Sequence, residues 1–171
     1  MNPSTMSPCQ LVEHIETTHH QYLNKALPHL STLMQGVVQA HGEAHPELGD
    51  VSACLAELRA DLEPHLMKEE QALFPMIREL YGTQDVPEFH CGTLRNPITV
   101  MEAEHDIAGE VLARLRSLTS AFTPPGDGDA DFVELYSGLA ELEADTLLHI
   151  QKENELLFPA VLAEEMHRGP R

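Results

Sequence analysis

One segment of this 171-residue chain occurs twice, and that constrains its fold more than any other feature. His65-x-x-x-Glu69-x-x-x-x-Phe74-Pro75 returns as His149-x-x-x-Glu153-x-x-x-x-Phe158-Pro159, shifted by 84 residues at every matched position. A histidine precedes each copy on a separate apolar stripe, His20 in the first half and His105 in the second, at an offset of 85 residues. Self-similarity of this kind marks repeated supersecondary units that must pack on one another to bury their apolar faces. The chain therefore reads as two related helical hairpins.

The hydrophobic periodicity agrees. From Pro8 to about Glu43, Leu11, Ile15, Tyr22, Leu23, Ala26, Leu30, Leu33 and Val37 recur at spacings of three and four, the stripe of an amphipathic helix. Pro28 lies inside it, where a missing backbone donor predicts a kink. A second helix is expected from about Val51 to Tyr81, bent at Pro64 and Pro75. A surface loop follows over 82–95, and Asn96-Pro97 reads as an N-cap with proline at the first helical position. The third helix is expected to reach Ala121 and the fourth to run from about Asp131 to Met166, with the turn-rich segment 123–130 between them. Short links favour antiparallel neighbours, so the expected fold is all-α, an up-down-up-down four-helix bundle over 11–166 between tails 1–10 and 167–171.

Residues four apart on a helix share a face, so His65 with Glu69, and His149 with Glu153, each present an imidazole and a carboxylate to one point. A lone pair of this kind is usually a solvated ion pair. Two copies among apolar neighbours, Leu66 and Leu73 in one and Leu148 and Leu156 in the other, argue instead for burial, which is costly unless the groups are paired or metal-bound. Carboxylates that bridge cations and neutral imidazoles that complete their shells suit iron, manganese or zinc. Asp61 and Glu104 are placed to accept the outer N–H of a ligand histidine or to relay protons, or else are solvated helix charges. Leu73, Phe74, Leu157 and Phe158 read as core. His14, His29, His45, His90 and His167 read as solvated.

Composition narrows the partners. With 28 acidic and 10 basic residues the chain carries a net charge of -18, which repels nucleic acid and anionic membrane surfaces. No apolar run is long enough to span a bilayer, and the first ten residues do not resemble a secretory signal, so a cytoplasmic location is expected. Cys9, Cys54 and Cys91 are far apart and form no C-x-x-C pair, which argues against a disulfide framework and a thiolate metal site.

Taken together, His20, His41, His65-x-x-x-Glu69, Glu104-His105-Asp106 and His149-x-x-x-Glu153 resemble the hemerythrin-like domain. Within it, His65-Leu-Met-Lys-Glu-Glu-Gln-Ala-Leu-Phe-Pro-Met-Ile77 and Pro97-Ile-Thr-Val-Met-Glu-Ala-Glu-His-Asp106 resemble the di-iron proteins of iron-sulfur cluster repair (repair of iron centres). The resemblance covers about 11–162. It implies two non-heme iron ions, carboxylate-bridged and joined by an oxo or hydroxo group. His20, His41, His65, His105 and His149 would be ligands, and Glu69 and Glu153 the bridges. His41 has no counterpart in the second half, where Gly126 falls at the matching place, so three histidines are expected at one iron and two at the other, leaving one iron an open position. His19 competes with His20: the register to Pro28 and His41 favours His20, and His19 is then a residue that touches a ligand or lies on the surface.

The implied function is repair of iron-sulfur clusters damaged by nitrosative or oxidative stress, with iron-sulfur proteins as partners. The alternatives are a module that binds or senses dioxygen or nitric oxide, and a nitric oxide or peroxide reductase; a metal-free structural bundle is the reading without chemistry. The repair group carries an N-terminal domain with adjacent cysteines, and the short segment before the first helix, with Cys9 alone, is expected to lack it.

Overall fold

The computed structural model describes residues 2–85 and 87–169. Four long helices carry most of them: α1 (8–41), α2 (48–82), α3 (Arg95–Leu118) and α4 (130–168). Helix α1 opens on a reciprocal cap in which the Gln10 amide donates to Ser7 Oγ and the Ser7 amide donates to the Gln10 side chain, with Pro8 at the first helical position. Helix α4 opens on Asp129, whose carboxylate accepts from the Phe132 amide. The expected cap at Asn96 is not there. Asn96 already lies within α3, where its side chain donates to the Cys91 carbonyl at 2.7 Å, and the amide of Leu94, the residue before the helix, is taken up by Glu165 at 2.8 Å. Helix α4 also continues through His167 and Arg168, which the sequence suggested were tail.

Pro28 and Pro64 sit inside unbroken α-helical segments, Gln21–His41 and Leu48–Lys68. Pro75 and Pro159 act differently. Each follows a π-helical turn, Glu69–Leu73 in α2 and Glu153–Leu157 in α4. A helical proline collides with the carbonyl four residues before it, and here those carbonyls, of Gln71 and Glu155, lie inside the widened turns. A third π turn, Glu16–His20 in α1, has no proline to account for it.

The helices pack round a ring, α2 on α3 and α1 on α4 most extensively, with α1 also on α2 and α3 on α4. Among the described residues the interior has two apolar clusters. The larger includes Leu23, Leu27 and Met34 of α1, Leu55 and Leu58 of α2, Leu112 of α3 and Leu139 of α4. The smaller includes Ile15 of α1, Phe74 and Ile77 of α2, Ile98 of α3 and Phe158 of α4. In every helix the two sets are separated by a short stretch of sequence, and those stretches hold His20, Glu69, His105, His149 and Glu153. A polar layer thus crosses the bundle between two dry ones. No helix among the described residues is long and apolar enough to cross a membrane.

Candidate metal centre

The π turns lie at this layer. A π turn adds a residue to one helical turn and so shifts the inward face, as is common at functional sites. In α1 the turn brings both His19 and His20 inside, at 0% and 1% exposure. In α2 and α4 it begins at the glutamates, and Glu69 and Glu153 are both fully buried. His65, His105 and His149 complete the layer.

The ligand atoms form two groups that share both carboxylates. His20, His149, Glu69 and Glu153 make one, His65, His105, Glu69 and Glu153 the other, with atoms in each within 4.8 Å of one another. Glu69 turns Oε2 toward His20 Nε2 at 3.3 Å and Oε1 toward His65 Nε2 at 3.4 Å. Glu153 turns Oε1 toward His149 Nε2 at 3.2 Å and Oε2 toward His105 Nε2 at 3.1 Å. Each carboxylate therefore gives one oxygen to each group.

Outer contacts hold the imidazoles. The Nδ1–H groups of His20 and His65 donate to Glu70 and Glu104, each at 2.8 Å, and that of His105 donates to the Asn154 carbonyl oxygen at 2.9 Å. Lys68 in turn donates to Glu104. Such partners fix ring orientation and leave Nε2 to the interior. Phe74 stacks on His20 and Phe158 on His105, with centroids 5.5 and 6.0 Å apart. These two phenylalanines are core, as their spacing implied, and also walls of the layer.

His20 Nε2, both His149 nitrogens and all four oxygens of Glu69 and Glu153 are buried without an aligned hydrogen-bond partner among the described residues. Buried polar atoms are rarely left so. The donor set, nitrogen and oxygen without thiolate, fits a borderline or hard cation of the transition series, and such an ion would satisfy these atoms at once. Burial pushes the His20 and His105 rings down, but the neighbouring carboxylates outweigh it and both hold their protons above the usual imidazole range. Burial, then the facing Glu153, pushes Glu69 up, whereas His149 and His105 hold Glu153 well below the usual carboxylate range despite its burial.

His41 does not belong to the layer. The rise of α1 between His20 and His41 is roughly 30 Å. His41 packs instead on Phe132 at the start of α4 and donates to Asp129 at 2.9 Å, beyond the larger apolar cluster. Among the described residues, each group brings two histidines to the shared carboxylates, and His41, expected as a third at one iron, is in neither. Glu104 takes one of the roles considered for it, and Asp61 lines an opening of about 190 Å³ whose walls also include His65, Lys68, Glu104 and His105. His29, His90 and His167 are exposed as expected, but His14 and His45 are half-buried, His45 packing on Phe132 and pairing with Glu47 and Asp127. His14 and His19 belong to a group that sequence reasoning missed. Lys152 Nζ donates to His19 Nε2 at 2.7 Å and to His14 Nε2 at 2.9 Å, while His19 Nδ1–H donates to Asp145 at 2.8 Å. Lys152 and Asp145 lie more than 120 positions from their partners; the doubled histidine at 19 and 20 was the only local sign.

Residues 11–161 match the hemerythrin HHE cation binding domain. The chain is 40% identical over 162 residues to a probable iron-sulfur cluster repair protein of Haemophilus influenzae, covering 95% of this chain and 69% of that one. It is 35% identical to the iron-sulfur cluster repair proteins YtfE of Enterobacter sp. and Escherichia coli, over 161 and 156 residues, covering 94% and 91% of this chain and 69% and 67% of theirs. A bundle whose repeated His-x-x-x-Glu turns close on one buried cation cage, matched along nearly its whole length, belongs to the hemerythrin HHE cation-binding family.

Proposed function

We propose that the cage holds two non-heme iron ions and that the loaded protein acts in the repair of iron-sulfur clusters damaged by nitrosative or oxidative stress. The division of the Glu69 and Glu153 oxygens between two pairs of imidazole nitrogens is the observation that carries this reading. His20 and His149 are proposed as ligands of one ion, His65 and His105 of the other, and the two glutamates as bridges. Bound there, the irons would supply redox capacity and coordination for a small ligand. The protein's own contribution is to exclude water, orient the rings through Glu70, Glu104 and Asn154, and exchange protons for metal at His20 and His105. The names of the similar proteins support iron-sulfur proteins as partners.

The test is reactivation. Iron-loaded protein, freed of loose iron, is added anaerobically to a cluster enzyme inactivated by nitric oxide. Recovered enzyme activity that the metal-free protein does not give supports repair. The opening of about 190 Å³ beside His65 and His105, ample for a diatomic gas, supports a second reading, reversible binding of dioxygen or nitric oxide. No recovery, with an optical change that reverses when the gas is removed, would select it.

A further inference from the structure

The two halves of the layer match in more than their ligands. At the repeat's offset of 84, Lys68 corresponds to Lys152, Glu70 to Asn154 and Asp61 to Asp145; at 85, His20 corresponds to His105 and His19 to Glu104. The outer contacts obey this correspondence. Glu70 holds His20 and Asn154 holds His105, by the same nitrogen at nearly the same distance. Glu104 holds His65 and is itself held by Lys68. The symmetric partner of His65 is His149, and opposite it, in the place of the carboxylate, stands the His19 imidazole.

His19 cannot play the part of Glu104 by hydrogen bonding, since its Nδ1–H is given to Asp145 and its Nε2 accepts from Lys152. It lies flat on His149 instead, centroids 5.5 Å apart and planes 8° from parallel. His149 Nδ1 is the one outer nitrogen of the four cage histidines without a hydrogen-bond partner among the described residues. Where the exposed Lys68 borders the opening at Asp61 and Glu104, its counterpart Lys152 turns inward between His14 and His19 and is only 7% exposed.

We infer that His19 is the positioning residue for His149: clamped between Asp145 and Lys152, it sets the ring plane of that ligand by stacking where Glu104 sets His65 by hydrogen bonding. The inference rests on the two-metal reading of the cage and makes the two positions inequivalent. Losing His19 loosens the position of His20 and His149 alone.

The protein is loaded with ferrous iron without oxygen and challenged with a graded ferrous chelator, so that the two ions leave in separate steps. Removal of an outer contact costs a ligand site about 10- to 100-fold in metal affinity. His19→Ala should weaken one release step by that factor and leave the other as in wild type. His19→Glu, which places the symmetric carboxylate opposite His149 Nδ1, should restore it. Two unchanged steps in the alanine variant, two steps weakened alike, or a glutamate variant no better than alanine would each overturn the inference. If His19→Ala does not fold, His19→Gln, whose amide can still accept from Lys152 and donate to Asp145 but offers no aromatic face to His149, should weaken the same single step; two unchanged steps there overturn it.

A second readout needs no metal. The His149 ring should give one sharp set of imidazole resonances in the metal-free wild type and broadened or doubled ones in His19→Ala; identical signals in both overturn the positioning role. A wild type that binds one ion or none would sink the two-metal reading, while this comparison still decides the role of His19.

Discussion

Single residues in the polar layer differ in what their loss removes. Glu69 and Glu153 each face both groups, so if the cage holds two ions as proposed, Glu69→Ala or Glu153→Ala should weaken both together; loss of one ion per chain by metal analysis would contradict the bridging role. His65→Ala touches one group only and should cost one ion. His41→Ala should leave metal content unchanged, since His41 serves Asp129 and Phe132 at the far end of α1. The convergence of His20, His65, Glu69, His105, His149 and Glu153 in one layer was legible in the sequence because the repeat places them at matched helical positions, and helix periodicity turns position into direction. The family pattern carries no distances, so it could not show that the rise of α1 puts His41 about six turns from His20. His19 was left open because its partners come from α4, and no local rule reports contacts between chain segments so far apart.

Helices were more legible than the turns within them. Apolar spacing marks all four, with ends displaced by a few residues, as fraying and capping allow. The π turns left no hydrophobic signature, although in α2 and α4 the Phe-Pro pairs follow them directly, and Pro75 was read only as a bend. Those pairs also anchor the helix that follows. Phe158 is fully buried in the smaller apolar cluster while stacked on His105, so Phe158→Ala should destabilise the protein by about 3–5 kcal/mol. Urea denaturation checks the magnitude, and a loss below about 1 kcal/mol would mean that the α4 segment after its π turn is not packed as described.

Across the whole molecule, metal and protons compete for one space. His20 and His105 hold protons above the usual imidazole range in the metal-free protein, so their contribution to its stability is fully present below about pH 6.5 and is lost as pH rises through their raised values. Glu69, also pushed up, acts with the same sign over its own range, above the ordinary carboxylate value. Glu153 acts oppositely, stabilising above the ordinary carboxylate range and ceasing to do so as pH falls through its lowered value. Metal must displace the imidazole protons, so the thermal shift on adding iron should be larger at pH 7.5 than at pH 5. Equal shifts at the two values would show that the histidines do not release protons to the metal.

The layered interior also bears on how the bundle comes apart. Two apolar clusters, each drawing on all four helices, are joined through a layer whose carboxylates and imidazoles are incompletely paired without a cation. Cooperativity depends on neighbouring regions sharing favourable contacts, and that layer is where sharing is poorest. Metal-free protein should therefore melt as two units, the smaller cluster with both chain ends first, giving a calorimetric enthalpy larger than the van't Hoff value. With the cage filled, the cation ties four helices at the seam and the transition becomes single. The ions would then decide not only how stable the bundle is but whether it behaves as one folding unit or two.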